Sequence, residues 1–166
     1  MKKFSIIRIS ALLLIIISIC SKSVSGQALN KLPPFSILQT SGKTFSTSDL
    51  RPNKPTVLIY YASNCDHCLT LMTAFFKRVS EFKNAQVLMV TFTSLQDVGV
   101  FEKKYQTGKY SYLHTGLEAK PLFLQGFYKL QNTPFTALFD KNKNMVYSYK
   151  KDASVDDLLK RLKGLK

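Results

Sequence analysis

The feature that most constrains the fold is an apolar run that leads directly into a closely spaced pair of cysteines. Thr56 to Tyr61 is a continuous run of β-branched, aliphatic and aromatic residues without alternation of polar and apolar positions. Such a run predicts a central strand that is covered on both faces of its sheet. Cys65-Asp66-His67-Cys68 follows almost at once. The chain is therefore predicted to place a cysteine pair at the end of a buried strand.

The residues around the cysteines predict an amphipathic helix. Asn64 is a favourable N-cap residue, so we expect the helix to begin there with Cys65 at its N-terminus. The two-residue spacing puts Cys68 one turn along the helix, on the same face. Apolar side chains then recur at steps of four, three, four and three residues, which makes one apolar stripe: Cys68, Met72, Phe75, Val79 and Phe82.

This arrangement suits thiol–disulfide exchange. The reaction needs a thiolate, because a protonated thiol is a poor nucleophile. The first turn of a helix offers unpaired N–H groups and a partial positive charge, and both favour a thiolate. We therefore predict that Cys65 is the exposed, attacking thiol, and that the more buried Cys68 resolves the mixed disulfide.

The two residues between the cysteines are candidates for redox tuning. A protonated His67 would stabilise the Cys65 thiolate and the reduced protein, which makes the couple more oxidising. Asp66 acts in the opposite sense. The direction of exchange is therefore left open by these residues.

The N-terminus has the pattern of an export signal. Lys2, Lys3 and Arg8 precede the apolar run Ala11 to Ile19, and small and polar residues follow up to Gly26. We predict a signal peptide over residues 1–26, cleaved after Gly26, and one domain over residues 27–166 in the periplasm or cell envelope. An uncleaved membrane anchor or lipidation of Cys20 are the alternatives. Cleavage leaves two cysteines, too few for a disulfide framework, which favours a working redox pair.

The basic composition does not point to nucleic acid. The formal net charge is +14, but the lysines are scattered and no zinc-finger, RRM or P-loop pattern accompanies them. We interpret them as a solvated surface, with attraction to anionic membranes as an alternative. A monomer is expected.

The rest of the chain predicts a mixture of strands and helices. Residues 106–121 are rich in turns and tyrosines and predict no clear element. The other predicted elements are a hairpin around Ser41-Gly42-Lys43, a strand at 86–92, helices at 94–105 and 122–130, a hairpin of 135–139 with 145–149, and a last helix after Ser154.

Several of these motifs together resemble one family. The chain resembles the thioredoxin superfamily, and most closely the TlpA/ResA-like exported thiol–disulfide oxidoreductases, over about residues 32–164. The resemblance rests on Pro33-Pro34-Phe35, the run from Thr56 to Tyr61, Cys65-Asp66-His67-Cys68, Thr133-Pro134, and Phe139-Asp140-Lys141-Asn142.

The resemblance implies an α/β thioredoxin-like fold, with a central mixed β-sheet flanked by helices and an N-terminal β-hairpin extension. Residues 94–130 would be an elaborated insert. The peptide bond before Pro134 would be cis and lie beside the dithiol, and the backbone of Thr133 would pair with the substrate chain. The implied partners are protein thiols and disulfides and an upstream redox donor. In this family the usual reaction is reduction of the partner, and no cofactor is implied.

Three positions depart from related proteins. Asn64 stands where many have Trp, Ile59 where thioredoxins have a buried acid, and Leu71 where ResA-like proteins have Glu. Such acids help to deprotonate the second cysteine, so the proton acceptor for Cys68 is unassigned. An oxidant or isomerase role is an open alternative.

Three other classes of protein fit the sequence less well than a thiol–disulfide oxidoreductase. A copper-binding module would need His114 as a third ligand beside the cysteine pair, and we expect His114 to be a loop residue and the chain to bind no metal. A peroxiredoxin is disfavoured because Leu58 and Ala62 occupy the Pro and Thr/Ser places of its signature. A binding protein without catalysis is disfavoured by the intact Cys65, Cys68 and Pro134.

Overall fold

A seven-stranded mixed sheet forms the centre of the molecule. The computed structural model describes residues 28–165. The predicted signal peptide and Cys20 lie outside the described residues. The strand order is β2-β1-β5-β4-β3-β6-β7. The strands are β1 (Ser36–Leu38), β2 (Thr44–Ser46), β3 (Thr56–Tyr61), β4 (Gln86–Thr91), β5 (Leu113–Glu118), β6 (Phe135–Phe139) and β7 (Met145–Tyr149).

Within the described residues, four α-helices cover this sheet: α1 (Asp66–Lys77), α2 (Leu95–Tyr105), α3 (Phe123–Tyr128) and α4 (Val155–Lys163). β3, β4 and β5 are parallel neighbours joined through α1 and α2. Since such crossovers are right-handed, two successive ones in the same direction put both helices on one face. α4 joins them there, while α3 and the N-terminal segment cover the opposite face. Within residues 28–165, no helix has the length and apolar character needed to cross a membrane.

The predicted central strand is confirmed. Every residue of β3 is buried, because its side chains enter the apolar layers on both faces in turn. Its hydrogen-bonded neighbours are β4 on one side and β6 on the other. This arrangement explains why the sequence lacks alternation, since neither face of the strand meets water.

Both predicted hairpins and the last helix are also confirmed. β1 pairs antiparallel with β2, and β6 pairs antiparallel with β7. The hydroxyl of Ser154 accepts a hydrogen bond from the Asp157 N–H at 3.5 Å and so caps α4. The predicted α/β fold, a mixed sheet flanked by helices with an N-terminal hairpin extension, is therefore correct.

Residues 94–130, which the resemblance implies to be an elaborated insert, form α2, β5 and α3. α2 is the crossover to β5, and β5 lies inside the sheet between β4 and β1. Gly116 permits this close packing, because a Cβ at that position would lie 2.8 Å from the carbonyl oxygen of Leu38. His114, Thr115 and Gly116 interrupt the apolar pattern of β5. The strand is therefore hard to recognise from hydropathy.

Candidate active site

The dithiol lies where β3 ends and α1 begins. The prediction that Asn64 caps the helix is wrong, because Cys65 itself is the N-cap residue. Cys65 has an extended backbone conformation, and its Sγ accepts a hydrogen bond from the Cys68 N–H at 3.2 Å. Asn64 is exposed and precedes the helix. The sulfur of Cys65 thus performs the role that the Asn64 side chain was expected to play, in direct contact with a free N–H of the first turn.

The two cysteines differ strongly in exposure. Cys68 is 1 % exposed and Cys65 is partly exposed, and both are free thiols. The Cys68 thiol donates to the Cys65 sulfur, and the two Sγ atoms are 2.6 Å apart. An incoming disulfide therefore reaches Cys65 first, and the buried Cys68 lies directly behind Cys65. This is the asymmetry that the spacing of the pair predicted.

The surroundings of the pair separate the acidities of the two thiols. Partial burial acts to raise the pKa of Cys65, but hydrogen bonds with the side chains of Cys68 and Thr133 and from the N–H groups of Cys68 and His67 outweigh it, so this pKa is lowered. Burial, followed by its hydrogen bond to Cys65, raises the pKa of Cys68 to about 12. Cys65 is therefore the thiol that ionises first.

A second segment of the chain completes the site. The Thr133–Pro134 peptide bond is cis, and Pro134 is buried immediately before β6. The carbonyl oxygen of Thr133 lies 3.4 Å from Cys65 Sγ. The structure thus brings together the four residues Cys65, Cys68, Thr133 and Pro134.

The two residues between the cysteines point to solvent. Asp66 and His67 are exposed in the first turn of α1. Nδ1 of His67 lies 2.8 Å from Oδ1 of Asp152, which belongs to the loop before α4. Sequence reasoning missed Asp152, because it is 85 residues from His67 and belongs to no motif.

No acid replaces the missing residues at the two expected places. Ile59 is fully buried in β3, and Leu71 is buried on the inner face of α1. Leu58 and Ala62, at the peroxiredoxin positions, are also buried apolar residues. Ile59 and Leu71, which pack in the same apolar layer as Cys68, therefore offer it no proton acceptor.

His114 is not brought to the dithiol. It lies in β5 rather than in the expected loop, and its ring stacks on Phe45 of β2 with the ring centroids 3.9 Å apart. Burial is the main cause that lowers its pKa. Among residues 28–165, no three His, Cys, Asp or Glu side chains are grouped as metal ligands would be.

The fold and the dithiol together define a thioredoxin-superfamily protein of the thiol–disulfide oxidoreductase class. In that superfamily, the pair lies at the end of a central strand and faces a cis-proline loop, as it does here. The chain belongs to the AhpC/TSA family, whose model matches residues 28–154. No curated protein sequence matches it significantly.

Solved structures with similar folds include several oxidoreductases. The exposed lipoprotein thioredoxin Etrx1 of Streptococcus pneumoniae is 25% identical, with a TM-score of 0.61 over 80% of this chain and 100% of that chain. MTB DsbF, in its mixed oxidized and reduced forms, is 19% identical with a TM-score of 0.65 over 84% and 98%. A thiol-disulfide oxidoreductase of Bacteroides fragilis is 20% identical with a TM-score of 0.63 over 82% and 99%. The last two likenesses concern the fold.

Proposed function

We propose that the protein exchanges disulfides with partner proteins outside the cytoplasm, with Cys65 as the attacking thiol and Cys68 as the resolving thiol. The observation that carries this proposal is the pairing of a partly exposed N-cap thiol of lowered pKa with a buried thiol 2.6 Å away. A cysteine pair with only a structural role does not require this difference in exposure and acidity between its two thiols.

The proposed reaction has two steps. The Cys65 thiolate attacks a partner disulfide, forms a bond to one partner sulfur and releases the other as a thiolate, which takes a proton from solvent. Cys68 then loses its proton and attacks Cys65 Sγ. The Cys65–Cys68 bond forms, and the second partner sulfur leaves as a thiolate that is protonated in turn. Two electrons pass to the partner. An upstream dithiol donor then reduces the Cys65–Cys68 disulfide back to the dithiol and itself becomes a disulfide.

Thr133 and Pro134 are proposed to bind the partner. Thr133 is partly exposed, and its carbonyl oxygen already contacts Cys65 Sγ. A partner chain laid along this loop would bring its disulfide within reach of the Cys65 thiolate. Asp66 and His67, exposed beside the pair, are proposed to tune its redox potential.

Export is supported by two observations. The N-terminal residues have the order of a signal peptide, and one protein with a similar structure is an exposed lipoprotein thioredoxin. The mature protein is proposed to be a monomer that begins at Gln27. N-terminal sequencing of protein purified from the producing cell tests this point, because a start upstream of Cys20 would indicate a retained anchor.

Trapping tests the function directly. In Cys68→Ser the resolving thiol is missing, so mixed disulfides should accumulate on Cys65 and run as reducible adducts on gels. Cys65→Ser, which keeps the buried thiol, is the matched control and should trap nothing. Cys20→Ser in both proteins removes the remaining cysteine of the chain. Absence of adducts, together with failure of the wild-type pair to cycle with glutathione, would overturn the proposal.

The working direction is proposed to be reduction of the partner, as the family resemblance implies. Rapid acid quenching of cells, followed by alkylation of free thiols, shows whether the pair is a dithiol or a disulfide in the cell. A reductant is held mainly as the dithiol, while a pair found mainly as the disulfide would identify an oxidant.

A further inference from the structure

A cavity of about 360 Å³ opens beside Cys68, between β3, α1 and the outer helix α2. Its walls carry apolar groups such as Met72 and Phe101, and it is large enough for several water molecules. The titratable groups that face it are Tyr61 from β3, Cys68 from α1, and Asp97, Lys104 and Tyr105 from α2. The dithiol therefore adjoins a second space, separate from the Thr133 side of the site.

Two hydroxyl groups in the walls of this cavity lack partners. The side-chain oxygens of Tyr61 and Tyr105 are buried and make no hydrogen bond within residues 28–165. Tyr61 is only 2 % exposed. Buried polar groups are almost always satisfied by protein or by ordered water, since leaving one unpaired is costly. Two such hydroxyls around one cavity next to a thiol point to bound water in that cavity.

A carboxylate lies in the same cavity wall. Asp97 is in the first turn of α2 and accepts a hydrogen bond from the Ser94 hydroxyl at 2.7 Å. Hydrogen bonds with Ser94, and then with Thr93 and Ser63, outweigh partial burial and lower the pKa of Asp97. The group is partly exposed, so it can return a proton to solvent. Asp97 is thus an ionised acceptor with access both to the cavity and to bulk water.

We propose that water held by the Tyr61 and Tyr105 hydroxyls carries the Cys68 proton to Asp97 during resolution of the mixed disulfide. Asp97 then passes the proton to solvent. Because Asp97 acts on Cys68 only through water, it is a positioning residue and not a catalytic one. The Cys68 sulfur forms its bond to Cys65 Sγ as the partner sulfur leaves with the bonding electrons. This inference rests on the proposed function.

The need for such a path follows from the burial of Cys68. Burial is the first cause that raises the pKa of Cys68, and it does not depend on the state of Cys65, so little Cys68 thiolate is present at pH 7. Ile59 and Leu71 supply no base from the two positions that related proteins use. A carboxylate that takes the proton as the sulfur attacks avoids the need to form the free thiolate first.

The resolving step can be followed with a chromogenic aromatic disulfide such as DTNB, supplied in limiting amount to the reduced protein. The first release of thionitrobenzoate reports the attack of Cys65, and the second reports the displacement by Cys68. Every protein carries Cys20→Ser, so that Cys65 and Cys68 are the reacting thiols. Asp97→Asn should leave the first phase unchanged and slow the second on the order of 100-fold near pH 7.

The pH profile separates proton transfer from a structural defect. In the wild type, the second phase should be nearly independent of pH from about pH 6 to 8, because Asp97 stays ionised across that range. In Asp97→Asn it should rise about tenfold per pH unit, because only the preformed thiolate reacts, and the deficit should shrink as pH increases. Tyr61→Phe, which removes only the hydroxyl, should slow the second phase about tenfold.

Asp157→Asn is the matched control. Asp157 stands three residues after the N-cap Ser154, as Asp97 does after Ser94, but it lies in α4 and not in the cavity wall. Its second phase should equal that of the wild type. An unchanged second phase in Asp97→Asn, or one slowed equally at every pH, would overturn the inference. Absence of the first phase in the wild type would instead contradict the proposed function.

Discussion

The sulfur of Cys65 lies 3.4 Å from the carbonyl oxygen of Thr133, although 68 residues separate them along the chain. The attacking thiol is therefore held between its own helix N-terminus and the loop that precedes β6. The two segments lie at the same edge of the sheet. β3 and β6 are antiparallel neighbours, so the end of β3, where α1 begins, lies beside the start of β6. A partner bound along this loop would lie directly over the reactive sulfur.

The acidity of Cys65 should be visible in its alkylation. In protein carrying Cys20→Ser, iodoacetamide should modify Cys65 first, with a rate that rises with pH to a midpoint below the ordinary thiol value of about 8.5. Cys68→Ala should move the midpoint upward, because it removes the thiol hydrogen bond to Cys65 but keeps the backbone N–H. Peptide mass spectrometry after timed quenching measures both sites. Faster modification of Cys68 would contradict this assignment.

The contact between His67 and Asp152 should affect the redox potential more than stability. A protonated His67 ring places a positive charge near the Cys65 thiolate, so His67→Ala should make the pair more reducing by up to about 20 mV. Asp152→Asn should act in the opposite direction, since it leaves that charge unneutralised. Equilibration with glutathione buffers measures both shifts. Shifts of the same sign in the two variants would contradict this role of the contact.

Glu118 should stabilise the fold through the groups it satisfies. Its buried carboxylate accepts hydrogen bonds from the Leu124 N–H at 2.6 Å and the Tyr60 hydroxyl at 3.2 Å. Glu118→Ala leaves both donors unpaired, so the free energy of unfolding in urea should fall by about 1–3 kcal/mol. A loss below about 0.5 kcal/mol would show that water replaces the carboxylate without cost.

Glu118 should also make the free energy of unfolding depend on pH. Burial outweighs the hydrogen bonds from Leu124 and Tyr60 and raises the pKa of Glu118. Its contribution to stability is therefore fully present below the unfolded pKa of about 4.3, and it declines as pH rises through the higher folded value. Glu118→Gln does not ionise, so its stability relative to wild type should increase between about pH 4 and pH 7. A constant difference in urea unfolding at the two pH values would contradict this.

Gly116 should be intolerant of a side chain. An added Cβ would lie 2.8 Å from the Leu38 carbonyl oxygen and 2.9 Å from the Ile37 Cβ, so β1 would have to move away from β5. Gly116→Ala should therefore lower the free energy of unfolding by about 1–3 kcal/mol. Gly126→Ala, in α3 with open space around it, is the matched control and should be neutral or slightly stabilising. Equal effects of the two changes would argue against the close approach of β1 and β5.

Several features of the fold could be predicted because they are encoded by neighbouring residues. The run from Thr56 to Tyr61 predicted a doubly covered strand, and the apolar spacing from Cys68 onward predicted the buried face of α1. The resemblance located Thr133-Pro134 beside the dithiol. Even so, the prediction that Asn64 caps α1 is wrong, because the choice between Asn64 and Cys65 depends on the exact point at which the backbone leaves its extended conformation.

The local periodicity and side-chain chemistry of the sequence thus determined the redox role of the dithiol, the helix that carries it and the difference in burial between its two thiols. Only the tertiary structure decided the place of β5 between β4 and β1, the contact of His67 with Asp152, and the cavity that joins Cys68 to Asp97. These features arise where segments far apart in the sequence pack together. The sequence around Gly116 or Asp152 does not indicate which residue each one contacts. These contacts exist only after the strands have paired and the helices have packed.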